Sequence, residues 1–199
     1  ADKSFERFVE RVELHDPDWE EPFFQFSPDG KRFAFTARRQ EGWYLVVDGQ
    51  AYGPYEMPRG QSEFWFSSDG AHFVLTARRG RQWWLLLDGK EIGPYERVAQ
   101  HNVRFSADGA HYAVAARRGK QWWVLVDGKE VGPLDTEPWC EFQGSDLCYI
   151  AKQQGPFRIV LGDKEWGPYE EAEPSLGGED GIGKPRRAFR VKRGGAWYA

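Results

Sequence analysis

The chain has 199 residues, with 31 aspartates and glutamates against 27 lysines and arginines and a formal net charge of −4. That acidic balance lacks the basic footprint of a nucleic-acid binder, and no apolar run approaches the roughly 18 residues of a membrane span. Aromatics form 16% of the chain, ten of them tryptophan. One buried aromatic removes roughly 150–250 Å² from water, so a regular array of them supports a core that no segment of about 40 residues could bury alone.

Residues 1–12 allow two readings. Phe5, Phe8, Val9 and Val12 fit a helical stripe. The same segment, Asp2-Lys3-Ser4-Phe5-Glu6-Arg7-Phe8, also resembles the later strand Asp163-Lys164-Glu165-Trp166-Gly167-Pro168-Tyr169. The strand reading is preferred, because it supplies an outer strand that the end of the chain lacks. Glu13–Glu21 follows as an acidic loop; its His15-Asp16-Pro17-Asp18 start has no recognisable calcium-loop pattern.

Five similar units come next, at 22–57, 62–98, 101–136, 138–171 and 172–199, the last incomplete. The second unit is the clearest. Phe64-Trp65-Phe66-Ser67 reads as a short strand and Ser68-Asp69-Gly70 as a turn. His72 to Arg78 is a second strand, broken by Gly80, and Trp83 to Leu87 a third. Asp88-Gly89 is a type I′ hairpin turn. A fourth strand from Ile92 contains Gly93-Pro94, and a proline inside a strand places it at a sheet edge. Four antiparallel strands every 40 residues or so make a β-propeller blade. The expected fold is therefore all-β: one domain over 1–199, a five-bladed propeller of four-stranded antiparallel blades. Its ring is closed by the N-terminal strand pairing in the last blade, where a bare third strand would otherwise invite aggregation. Glu171–Lys184 reads as a long acidic loop.

A basic residue followed five positions later by an aromatic one counts the units: Arg38/Trp43, Arg78/Trp83, Arg117/Trp122, Lys152/Phe157 and Lys192/Trp197. The turn Phe26-Ser27-Pro28-Asp29-Gly30-Lys31, with the later Val-Asp-Gly-Lys-Glu and Gly-Pro-Tyr segments, resembles the WD-like propeller repeats of TolB and related bacterial proteins. The resemblance implies a bacterial source, an extracytoplasmic location and protein partners. Five blades depart from the larger TolB propeller, so TolB's own role does not carry over.

In a propeller the loops joining second and third strands emerge together on one face, and loops on a rigid scaffold carry binding. Arg39, Arg79, Arg118 and Arg193, with Trp43, Trp83, Trp122 and Trp197, are the candidate binding residues, and a non-enzymatic interaction module is the leading function. The competing explanation is structural. Each cation and its ring flank a hairpin and would be cross-strand neighbours, and Glu56, Glu96, Asp135 and Glu170 could pair with the bases. A glycan-binding propeller is one alternative, with Tyr44, Trp84, Trp123 and Tyr198 as further rings. A glycoside hydrolase using Glu63 and Glu141 as paired carboxylates is another. The four histidines are scattered, and neither a nucleophile motif nor a metal-ligand spacing is present, so no cofactor or metal is expected. A monomer with a protein, anionic or glycan ligand is expected. Cys140 and Cys148 read as small buried hydrophobes, with a disulfide as the alternative.

Overall fold

The computed structural model describes residues 24–56, 64–99, 103–179 and 185–198, with the backbone alone for 176–179 and 185–188. The N-terminal segment 1–12, the acidic stretch Glu13–Glu21, His15, Glu63 and His101 lie outside the described residues. All regular structure among the described residues is strand, in five antiparallel sheets.

The first sheet runs β1 (Phe24–Phe26), β2 (Phe33–Arg39), β3 (Gly42–Val47), β4 (Gln50–Tyr55), in that spatial order. The second is β5 (Phe64–Phe66), β6 (Phe73–Arg79), β7 (Gln82–Leu87) and β8 (Lys90–Tyr95). In the third, β9 (Arg97–Val98) pairs with β11 beside the path β10 (Arg104–Phe105), β11 (Tyr112–Arg118), β12 (Gln121–Val126), β13 (Lys129–Leu134). The fourth is β14 (Trp139–Gln143), β15 (Asp146–Lys152), β16 (Phe157–Leu161) and β17 (Lys164–Tyr169). The fifth has three strands, β18 (Glu171–Glu179), β19 (Pro185–Arg193) and β20 (Ala196–Tyr198).

The long loop expected over Glu171–Lys184 is corrected by β18. Its sequence lacks the aromatic and β-branched residues that mark the other strands, so local propensity hides it. Tertiary packing makes it a strand: Ala172 pairs with Val191, and Ala172, Phe189 and Val191 all pack against Cys148, Ile150 and Ile159 of the fourth sheet. Arg97–Val98 is a further short strand, facing Arg117 and Ala116.

Three repeated devices shape the sheets. Ser27, Ser67 and Ser106 are buried. Each donates its hydroxyl to an aspartate two residues on, Asp29, Asp69 or Asp108, at 2.5–2.6 Å, and accepts the amide of residue 32, 72 or 111 at 2.9–3.0 Å. The Asp-Gly turns are of the expected primed kind: Asp48, Asp88 and Asp127 have φ of 46–51° and the following glycines 79–87°. Finally, β4, β8, β13 and β17 are outermost, as their prolines require. Pairing shifts register between Trp43 and Leu45, Trp122 and Val124, and Phe157 and Ile159, so β4, β13 and β17 bulge at their Gly–Pro; that peptide bond is cis in all four outer strands.

The chain divides into two compact units, 1–94 and 95–199. In the first, Ala34, Leu45, Val47 and Tyr55 of one sheet bury Phe64, Phe66, Phe73 and Leu75 of the next. In the second, Trp122, Val124 and Leu134 pack on Cys140 and Ala151. Successive sheets thus stack face to face within each unit, as propeller blades do.

Candidate functional site

Each cation faces its ring directly across the hairpin. Arg38 pairs with Trp43, Arg78 with Trp83, Arg117 with Trp122, Lys152 with Phe157 and Lys192 with Trp197. Lys152 Nζ lies 4.9 Å from the Phe157 centroid and the Arg117 guanidinium 5.9 Å from Trp122.

The backbone of the same residues joins one sheet to the next. The amides of Glu56, Glu96, Asp135 and Glu170 donate to the carbonyls of Arg78, Arg117, Lys152 and Lys192 at 2.7–2.9 Å. Three of the four acids then reach over the following hairpin turn. Glu56 Oε1 accepts Gly80 N at 3.0 Å, Asp135 Oδ2 accepts Gly155 N at 3.0 Å and Glu170 Oε2 accepts Gly195 N at 3.2 Å. Glu56 also pairs with Arg78 at 3.2 Å. The acids at the ends of the Gly-Pro segments are therefore turn caps, which explains why they recur with the basic–aromatic pair.

The second basic residues have their own partners. Arg79 grips Glu91 with two bonds of 2.8 and 2.5 Å and lies 4.8 Å over the Tyr55 ring, while Tyr55 donates its hydroxyl to the same carboxylate at 2.8 Å. Arg118, Glu130 and Tyr95 repeat the arrangement, with bonds of 2.8 and 3.3 Å, a cation–ring distance of 5.0 Å and a hydroxyl bond of 2.9 Å. Burial first, and then the adjacent carboxylate, hold the Tyr55 and Tyr95 hydroxyls well above the usual tyrosine range. The bond from Arg79 holds the Glu91 carboxyl below its ordinary value. Arg79 and Arg118 are thus committed to links between sheets. Arg39 has Ala51 where Glu91 and Glu130 stand, and its guanidinium lies 5.1 Å over Tyr44. Arg193 is exposed at the end of β19. Sequence reasoning missed Tyr55, Tyr95, Glu91 and Glu130; their signal is the Lys-Glu pair after the Asp88-Gly89 and Asp127-Gly128 turns, about 36 residues beyond a Gly-Pro-Tyr.

The rings divide by exposure. Trp122 is buried at 6%, Trp43 and Trp83 are half-buried, and Trp197 is 39% exposed. Tyr44, Trp84 and Trp123 cover the glycines of the outer-strand bulges: a Cβ on Gly53, Gly93 or Gly132 would come within 2.9, 3.2 or 3.0 Å of those rings.

One groove gathers candidate residues within the first unit. It measures about 620 Å³ and is lined by Arg38, Arg39 and Trp43 of the first sheet and Arg78 and Arg79 of the second, with Glu41, Tyr55 and Glu56. Four arginines and two glutamates line it. Arg38 is exposed and Arg39 half-exposed.

Other candidate chemistry does not converge. Cys140 faces Tyr149 and Cys148 faces Glu141, so alternation sends the two sulfurs to opposite sides of the sheet, and both thiols are free. Burial pushes Cys140 up to about 12 and Cys148 to about 11. His72 and His111 pair with Asp88 and Asp127 through Nδ1 at 2.6 and 2.8 Å. Glu141 lies half-buried on the inner strand β14. Among the described residues there is no cluster of three metal-ligating side chains, and no helix long and apolar enough to cross a membrane.

No protein-family model matches the chain, and no curated protein matches it. A solved mutant puromycin hydrolase is similar over 85% of this chain and 33% of its own length, at 18% identity and a TM-score of 0.37. The chain therefore spans about a third of that protein. Nothing about activity passes from it. The architecture is all-β, built mainly of four-stranded antiparallel sheets in the manner of propeller blades.

Proposed function

We propose that the protein is a non-enzymatic binding scaffold of the WD-like, TolB-type kind, whose basic loops receive an anionic ligand such as an acidic peptide. The observation that supports this is the groove of the first unit, where Arg38, Arg39, Arg78 and Arg79 outnumber the carboxylates of Glu41 and Glu56. A guanidinium fork suits carboxylate geometry. Even with Glu91 counted against Arg79, one positive charge remains in excess. Trp43, on the groove wall, would add an apolar face beside the charges.

The test is fluorescence anisotropy with a labelled hexaglutamate peptide. Binding at low salt that weakens as salt rises is expected, together with its loss in Arg38→Glu/Arg39→Glu. Neither side chain is buried, so the circular dichroism spectrum should be kept. Equal binding by the double variant, or none by the wild type at low salt, rejects the groove.

The same reading makes the five sheets five blades of one ring, closed by residues 1–12. One observation favours it. Phe24 and Phe26 form a T-shaped pair at 4.9 Å that is 54% and 59% exposed, whereas the matching pair Phe64 and Phe66, at 4.8 Å, is buried by the preceding sheet.

A further inference from the structure

The repeat makes grooves between successive sheets comparable position by position. Between the first and second sheets the Tyr52 ring fills one such groove: it lies 5.6 Å from the Phe73 ring at 52°, close enough to Gly89 that a Cβ there would sit 2.8 Å from it. Tyr52 pairs with Leu45, and Phe73 with Phe66. Between the third and fourth sheets the same register positions are Val131, paired with Val124, and Leu147, paired with Phe142. Two aliphatic side chains stand where two rings stand in the first unit.

The consequence is an open groove of about 420 Å³. Val126, Val131, Leu147, Tyr149 and Val160 give it apolar walls, and Asp127 and Lys129 lie at its rim. The two charges are not equivalent. Asp127 is occupied by the His111 ring and the Tyr112 amide, at 2.8 and 3.1 Å. Lys129 is exposed and makes no ion pair among the described residues.

We propose that this groove is a binding site for an aromatic ring carrying a nearby carboxylate, as at the C-terminus of a peptide ending in phenylalanine or tyrosine. The ring takes the place that Tyr52 fills in the first unit, and the carboxylate meets Lys129. The chain itself shows which occupant such a groove accepts, and the unpaired ammonium selects the charge. The site is separate from the arginine groove and does not depend on it.

N-acetyl-phenylalanine titrated into the full chain, followed by amide chemical shifts, tests the proposal. Saturable shifts centred on residues 147–149 and 160 are expected, with a midpoint on the order of 1 mM for a ligand of this size. N-acetyl-phenylalaninamide should bind more weakly, and N-acetyl-alanine not at all. Val131→Tyr, which restores the internal ring, should remove binding. Lys129→Glu should erase the preference for acid over amide. Binding that survives Val131→Tyr, shifts that map elsewhere, or no shifts up to the solubility limit overturn the proposal. If Val131→Tyr gives no folded spectrum, Lys129→Glu decides alone, because an exposed side chain can change without unfolding the sheet; an intact preference for the acid then overturns it.

Discussion

Ser27 and Asp29 show how a single side chain sets the local chemistry of each first turn. The Ser27 hydroxyl, followed by the Lys31 amide, stabilises the ionised Asp29 carboxyl and takes it from 3.8 to about 2. A carboxyl lowered on folding contributes stability that is present above its unfolded value, near 3.8, and lost as pH falls toward about 2. His111 behaves in the opposite sense. Its bond to Asp127 raises it above 6.5, so its contribution is full below 6.5 and fades as pH rises through the raised value. A side-chain NMR titration should therefore find Asp29 still ionised at pH 3, moving back toward 3.8 in Ser27→Ala, and His111 returning toward 6.5 in Asp127→Asn. An Asp29 midpoint unmoved by Ser27→Ala contradicts this assignment. At this scale the sequence was readable where the partner is local. Arg78 and Trp83 flank one tight turn, so their spacing alone makes them neighbours. The Arg79–Glu91–Tyr55 link was not, because its members come from two sheets and the carboxylate is brought in only by packing.

At the scale of the strand, the outer edge carries the most constrained backbone. Gly53 sits at φ +144°, and a Cβ there would lie 2.6 Å from the Trp43 carbonyl oxygen. Gly80, at φ +61°, has open space around its missing Cβ. Gly53→Ala should therefore cost about 3 kcal/mol or more, from strained backbone and a main-chain clash. Gly80→Ala should cost about 1–2 kcal/mol, the price of a left-handed residue alone. Urea midpoints measure the difference; equal losses would remove the bulge from the account of the outer strands. Element type was legible wherever turn chemistry and alternation agreed: the Ser-x-Asp-Gly and Asp-Gly turns, the proline-marked outer strands and the short Gly144-Ser145 turn between β14 and β15 all follow from residue type. Glu171–Glu179 escaped because its Pro174, Gly177 and Gly178 spell a loop, while its pairing partner Ala188–Lys192 dictates a strand.

At the scale of the molecule, the repeat fixes what each sheet must present to its neighbours. The basic–aromatic pair supplies the carbonyl that receives an amide from the end of the preceding sheet, the acid caps the following turn, and the faces of successive sheets bury one another. Those requirements apply equally to the first sheet, whose Phe24 and Phe26 are exposed; the proposed closure would cover them with residues 1–12. The direct test is thermal unfolding of the full chain beside a chain lacking residues 1–12. Under that proposal, burying Phe5 and Phe8 would contribute about 1.5–3 kcal/mol each, and 1 kcal/mol moves the Tm of a chain of this size by about 2–4 °C. Closure by the N-terminal strand predicts a Tm lower by at least about 6 °C in the shortened chain; an unchanged Tm contradicts it.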